Sequence, residues 1–163
     1  MSRWLRAIRA AAVGRVLLVA ALASPGALLA QSPAVDGVDG EVLVILARTE
    51  EGPVAPALAD LSALREPPLD RYRSLELLSS PRIRLRPGQP EEVDLPNGRK
   101  VRLVLEEVTA DGRFRVTVSI NRPGRRDYLP EARIEASPGD PFFVGGQAHQ
   151  GGTLVIGVRL GTR

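Results

Sequence analysis

The stretch RFRVTVSIN at residues 113–121 decides the fold class of this chain. Its apolar residues, Phe114, Val116, Val118 and Ile120, alternate strictly with polar ones. A period of two places all four apolar side chains on one face of a β-strand. Burying them contributes roughly 1.5 to 3 kcal/mol each before chain entropy is subtracted, so the pattern predicts a central strand with one dry face.

The residues before this strand predict its hairpin partner. Val101, Leu103 and Leu105 alternate with Arg102, Val104 and Glu106, and a Thr-Ala-Asp-Gly turn at residues 109–112 joins the two runs. A four-residue loop sets Leu105 opposite Val116, Leu103 opposite Val118 and Val101 opposite Ile120. In that register Glu106 meets Arg115 on the wet face. A tighter Asp-Gly loop shifts the partners by two residues and keeps the same faces.

The Pro-Asn-Gly turn at residues 96–98 indicates one more strand before the hairpin. A two-residue Asn-Gly loop would place Val93 opposite Arg102, on the charged face. A loop with an odd number of residues pairs Leu95 with Val101 and Val93 with Leu103, and this register is preferred.

Further strands are expected at residues 41–47, 82–86, 131–136 and 154–160, with a short one at 141–144. The run at 41–47 is apolar throughout, which predicts burial on both faces. Residues 56–65 favour a short helix, whereas 72–80 fit either a strand or a helix tail. About seven short strands with Pro-Gly turns between them predict a mainly all-β domain, an antiparallel β-sandwich or small barrel with one short N-terminal helix.

The N-terminal segment reads as a secretory signal peptide. Arg3, Arg6 and Arg9 precede the apolar run 16–23, and a Pro-Gly break leads to Ala30. Cleavage is expected after Ala30, or alternatively after Ala23. Retention as an inner-membrane anchor is the rival interpretation, but only fifteen residues follow Arg15 up to Ala30, and a membrane-spanning helix needs about 20. The domains are therefore 1–30 signal peptide, 31–40 flexible lead-in and 41–163 β-rich domain.

Removal of this segment changes the charge of the chain. Residues 1–30 hold four arginines and no acid, which leaves 18 basic against 19 acidic residues. The basic isoelectric point is thus a property of the leader and gives no reason to expect nucleic-acid binding. No cysteine occurs, which excludes disulfides, a lipid-modified cysteine and thiolate metal sites.

The sequence contains little that indicates catalysis. The one histidine, His149, lies in GGQAHQGG at residues 145–152, where the paired glycines are expected to form a hairpin loop between Phe143 and Leu154. Neighbouring acids such as Glu106 and Glu107 point to opposite faces of a strand and cannot form a catalytic pair. No enzyme activity and no cofactor are predicted, and His149 remains a candidate loop site.

Several arginines are directed outward by the alternation and form a candidate basic face. Arginine binds carboxylate and phosphate groups through its planar fork, so an anionic polymer or an acidic protein is a candidate partner. The simpler interpretation is a solvated face balanced by nearby acids. The residues are Arg82, Arg84, Arg86, Arg102 and Arg115, with Arg122, Arg125 and Arg126 in a neighbouring loop.

Two motifs carry a resemblance to other proteins. The LPNGR turn at 95–99 and the closing FFVGGQAHQGGTLVIGV at 142–158 resemble a family of exported bacterial β-rich proteins of uncharacterised function, over about residues 70–160. The resemblance implies an envelope-associated β-domain and supplies no catalytic residue.

The leading functional hypothesis is a periplasmic or secreted, non-enzymatic module that binds another exported or envelope protein through its edge strands. It predicts no stable membrane insertion after cleavage. The alternatives are a hydrolase acting on an envelope polymer, with His149 and an acid brought together by folding, and a periplasmic protein anchored in the inner membrane.

Overall fold

The structure, a computed structural model, describes residues 36–122, 124 and 131–162. The described part of the chain forms nine strands and two short 3₁₀ turns, and no helix in it is long and apolar enough to cross a membrane. The strands are β1 (Val38–Arg48), β2 (Ser74–Ser79), β3 (Arg82–Leu85), β4 (Pro90–Asp94), β5 (Lys100–Val108), β6 (Phe114–Ile120), β7 (Ala132–Ala136), β8 (Phe142–His149) and β9 (Gly152–Leu160).

Two antiparallel sheets form a sandwich-like arrangement, which confirms the predicted fold class. The first sheet has the order β2-β1-β9-β8, with β3 paired to the opening residues of β1. The second has the order β4-β5-β6-β7. The predicted central strand is β6, which lies between β5 and β7 and buries Phe114, Val116 and Val118 in the core between the sheets.

The register of the β5–β6 hairpin agrees with the prediction on the dry face. Val101 lies opposite Ile120, Leu103 opposite Val118 and Leu105 opposite Val116. On the wet face the prediction was wrong: a bulge after Leu105 makes Glu107, and not Glu106, the partner of Arg115. The extra residue of a bulge shifts every later pairing by one.

The preceding hairpin keeps the predicted faces but not the predicted partners. Val93 lies opposite Val101 and Asp94 opposite Lys100, so the pairs are shifted by two residues from the preferred register. Val93 and Leu95 are both buried, which confirms that they lie on the same face. Leu95 is in the five-residue loop, where its N–H donates to the Arg99 carbonyl (2.7 Å).

Strand β1 is buried on both faces, as its apolar run predicted. Its even-numbered residues from Val42 to Leu46 face the second sheet, and Leu43, Ile45 and Ala47 pack against a layer on the other side. That layer includes Leu58 and Leu64 from the segment before β2. The predicted helix at 56–65 is replaced by 3₁₀ turns at Pro56–Leu58 and Ser62–Arg65, because Leu61 between them has an extended backbone.

The boundaries at the two ends of the first sheet also differ from expectation. Strand β1 begins at Val38, so the last three residues of the predicted lead-in 31–40 belong to the sheet, and residues 31–35 lie outside the described residues. The short strand expected at 141–144 extends to His149. Residues 72–80, which fitted either a strand or a helix tail, contain β2.

Candidate functional site

The arginines of the predicted basic face divide between the two sheets. Arg82 and Arg84 are exposed on β3 and Arg86 is exposed just after it, whereas Arg102 and Arg115 lie on β5 and β6 of the second sheet. The alternation of β-strands predicts which side chains point outward, but it does not say which sheet a strand joins. The structure therefore does not bring the five together on one sheet.

Three of these arginines are held by carboxylates. The Arg84 Nη1 lies 3.0 Å from Asp39 Oδ1, and the Arg102 Nη2 lies 3.0 Å from Glu92 Oε1. Arg115 pairs with Glu107. The acids are therefore close enough to offset much of the positive charge. Of the loop arginines, Arg125 and Arg126 lie outside the described residues.

A second charged cluster, which the sequence did not reveal, lies on the outer face of the first sheet. Arg159 Nη1 contacts Glu41 Oε1 at 3.0 Å, and the Ser80 hydroxyl donates to the other oxygen of Glu41. Arg159 and Glu41 line a cavity of about 450 Å³ together with Arg82 and Asp39. Its two arginines and two acids balance, so the cavity has no excess charge to attract an ion.

His149 does not lie in a loop. It is the half-buried last residue of β8, opposite Gly152, and the turn consists of Gln150 and Gly151, both with positive φ. The expected hairpin is present, but Gly145 and Gly146 form a bulge inside β8 and not its loop. Among the residues the structure describes, no three histidine, cysteine or acidic side chains group to hold a metal ion.

The two motifs that carried the resemblance meet in the fold. Asn97 Nδ2 donates to Gln147 Oε1 at 2.9 Å, while Asn97 Oδ1 accepts the N–H of Arg99. Gln147 is buried, and its Nε2 has no hydrogen-bond partner within the described residues. The LPNGR turn of the second sheet is therefore tied to the bulged part of β8.

Strand β8 is an edge of the first sheet, since β9 is its one neighbour in the described sheets. It contains no lysine, arginine, aspartate or glutamate, whereas charged residues occur in the other strands at the lateral edges, β2, β3, β4 and β7. Natural proteins place charges on sheet edges to prevent unwanted strand pairing. Among the described strands, β8 is thus the lateral edge without charged side chains.

The backbone of β8 is accessible along this edge. His149 and Gly152 flank a two-residue turn and so form a hydrogen-bonded pair, which directs the N–H and C=O of Ala148 away from β9. Gly145 and Gly146 are exposed, and nothing lies within 4 Å of a Cβ placed on Gly146. An incoming strand can therefore approach the main chain closely.

An apolar cavity of about 190 Å³ adjoins this edge on the outer face of the sheet. Phe143 forms one wall: its ring lies over Gly157 of β9, where a Cβ would come within 2.7 Å of the ring. Phe142 packs against the core between the sheets, whereas Phe143 packs against the outer layer. The lining residues are Pro68, Leu69, Arg71, Tyr72, Phe143, Val144, Gly145, Gly146 and Val155.

Arg71 and Tyr72 are the polar side chains of this cavity. The Arg71 guanidinium lies 5.1 Å from the centre of the Tyr72 ring, and its Nη2 donates to the Tyr72 hydroxyl at 3.1 Å. A hydrogen bond with Thr153 of β9 is the main cause that lowers the pKa of Tyr72 below its usual value, and the neighbouring Arg71 lowers it further. Arg71 has no acidic partner among the described residues.

Sequence reasoning missed this arrangement. Tyr72 and Phe143 are far apart in the sequence, and only the fold brings them together. The one readable signal was the run of uncharged residues from Phe142 to Ala148. Comparisons with models of protein families, with curated proteins and with solved structures found no match. The resemblance to exported bacterial proteins accordingly stays a prediction.

Proposed function

We propose that this protein is an exported, non-enzymatic binding domain that takes up an extended segment of a partner protein along β8. The single observation that carries the proposal is the lateral edge strand without charge, next to an apolar cavity. In strand addition, main-chain hydrogen bonds provide affinity, and pockets for alternate side chains provide specificity. The β8 backbone and the cavity supply these two elements.

The size of the cavity favours a peptide over a small molecule. Sites for drug-sized ligands have volumes of about 300 to 1,000 Å³. At about 190 Å³, the cavity has room for a single side chain that the neighbouring backbone holds in place. The ligand is therefore an extended peptide that inserts one apolar side chain.

The location of the partner is proposed from the N-terminal sequence. Three arginines, an apolar run and a small residue at Ala30 follow the order of a cleaved export signal. The partner is then another periplasmic, secreted or envelope protein. Its docking segment carries no charged side chain where it lies along Phe142 to Ala148.

A synthetic peptide array tests this function. Octapeptides with alternating apolar and Ser or Thr residues are tethered by their N-termini, each as a free carboxylate and as an amide. We expect the protein to bind a subset of them and the Ala148→Lys variant to lose at least about tenfold in affinity, because a lysine on the edge disfavours strand pairing. Ala132→Lys is the matched control, an exposed alanine on β7, an edge strand of the second sheet.

Two results would oppose the proposal. One is an Ala132→Lys variant that loses as much binding as Ala148→Lys. The other is a protein that binds none of the peptides but binds an anionic polysaccharide in a salt-sensitive way that requires Arg82 and Arg84. A His149→Ala variant addresses the hydrolase alternative, because a binding domain keeps its peptides after this change.

A further inference from the structure

The cavity beside β8 combines an apolar interior with an uncompensated positive charge at its rim. Val155 and Phe143 provide apolar walls, and Arg71 is exposed at the opening. No acidic side chain within the described residues forms an ion pair with Arg71, in contrast to Arg84, Arg102, Arg115 and Arg159. A complementary ligand therefore brings both an apolar group and a negative charge.

The guanidinium of Arg71 is held in position. It stacks over the Tyr72 ring, and Tyr72 is itself bonded to Thr153 on the central strand β9. A planar guanidinium that is already oriented loses less entropy when it binds a carboxylate. The Tyr72 hydroxyl lies 3.1 Å from Arg71 Nη2 and adds a second donor at the rim.

We infer that the cavity binds the C-terminal residue of the partner, with its apolar side chain inside and its free carboxylate on Arg71 and Tyr72. Apolar and charged groups line one small cavity, so the ligand must carry both groups close together. A C-terminal apolar residue has them on the same Cα. An internal aspartate or glutamate places its carboxylate on a different residue from the apolar side chain.

This inference rests on the proposed strand addition at β8, and the same peptide array tests it separately. We expect peptides that end in a free carboxylate to bind about tenfold or more tightly than their amides, the usual range for a hydrogen bond to a charged group. Arg71→Gln should abolish this preference and Tyr72→Phe should reduce it. Arg73→Gln is the control, because Arg73 is exposed two residues away and does not line this cavity.

The outcomes separate the two claims. Peptides that bind equally as acids and as amides, or amides with an internal glutamate that match the free acids, overturn the C-terminal inference and leave strand addition intact. A loss of preference in Arg73→Gln equal to that in Arg71→Gln also overturns it. If no peptide of either form binds, or if Ala148→Lys changes nothing, the proposed function fails and the inference fails with it.

Discussion

Gly145 and Gly146 are adjacent residues that differ in backbone conformation. Gly146 has φ +112°, whereas Gly145 does not have a positive φ. Both have room for a methyl group: a Cβ on Gly145 would lie 3.4 Å from its nearest neighbour, and one on Gly146 would meet nothing. Steric crowding therefore cannot explain a difference between substitutions at the two sites.

We expect Gly146→Ala to lower the free energy of unfolding by about 1 to 3 kcal/mol, since L-residues rarely adopt this conformation. Gly145→Ala, the matched control, should change it by less than about 0.5 kcal/mol. Urea unfolding followed by far-ultraviolet circular dichroism measures both. Equal effects would mean that Gly146 does not form the bulge.

The titration of Tyr72 tests the contacts at the cavity rim. Its pKa is lowered mainly by Thr153 and to a smaller extent by Arg71, so Thr153→Val should raise the pKa more than Arg71→Gln does. An acid with a lowered folded-state pKa gains stability above its unfolded pKa, here about 10. That gain is lost as the pH falls through the folded-state pKa. Titration of the Tyr72 hydroxyl, and not the stability at neutral pH, therefore reports on these contacts.

Phenolate absorbance measures this pKa in a Tyr128→Phe background, which leaves Tyr72 as the one tyrosine. An unchanged midpoint in Thr153→Val would show that Tyr72 is not held against β9. In that case Arg71 would lose its fixed position over the ring.

At the scale of elements, β6 supports the core. Val118 is 3% exposed and lies opposite Ala132, which is exposed on β7. Val118→Asp should lower the free energy of unfolding by about 3 to 5 kcal/mol, because it buries an unpaired carboxylate. Ala132→Asp, on the partner residue, should stay within about 0.5 kcal/mol. Urea unfolding measures both variants. A Val118→Asp protein as stable as wild type would show that β6 is not part of the core.

The sequence predicted strands and their pairing well where the residues that determine them are close together in the chain. The faces of the β5–β6 hairpin and the partners on its buried face followed from the period of two and the turn between the strands. The bulge after Leu105 has no local signal in the sequence, and Glu106 beside it contacts Arg133 of β7, the third strand of the sheet. The pairing of β3 with β1 also depends on a contact about 45 residues apart and has no local signal.

The candidate site was less predictable than the fold. The arginines were assigned to the correct side of each strand, yet their strands belong to different sheets. The β8 edge could be read in part from its uncharged sequence. The cavity could not be predicted, since Tyr72 begins the segment 72–80 that the sequence left open between strand and helix, and Arg71 lies just before it.

At the scale of the whole molecule, export predicts a shorter product. Expressed from Met1 in a bacterium, the protein should accumulate outside the cytoplasm with Gln31, or alternatively Ser24, as its first residue. Trp4 is the one tryptophan and Met1 the one methionine, so the product should lack both. Intact-mass measurement of the periplasmic fraction tests this, and Leu18→Asp, which interrupts the apolar run, should keep the chain uncleaved. A full-length wild-type chain in the cytosol would contradict export.

The central claim is that β8 is the docking strand, and nuclear magnetic resonance of the ¹⁵N-labelled protein with the tightest array peptide tests it most directly. The account predicts that the largest changes in amide chemical shift on peptide binding occur in Phe142 to His149 and in Tyr72. It also predicts nuclear Overhauser contacts between the peptide backbone and β8. Shifts that concentrate on β3 or β7 and leave the amides of β8 unchanged would contradict it.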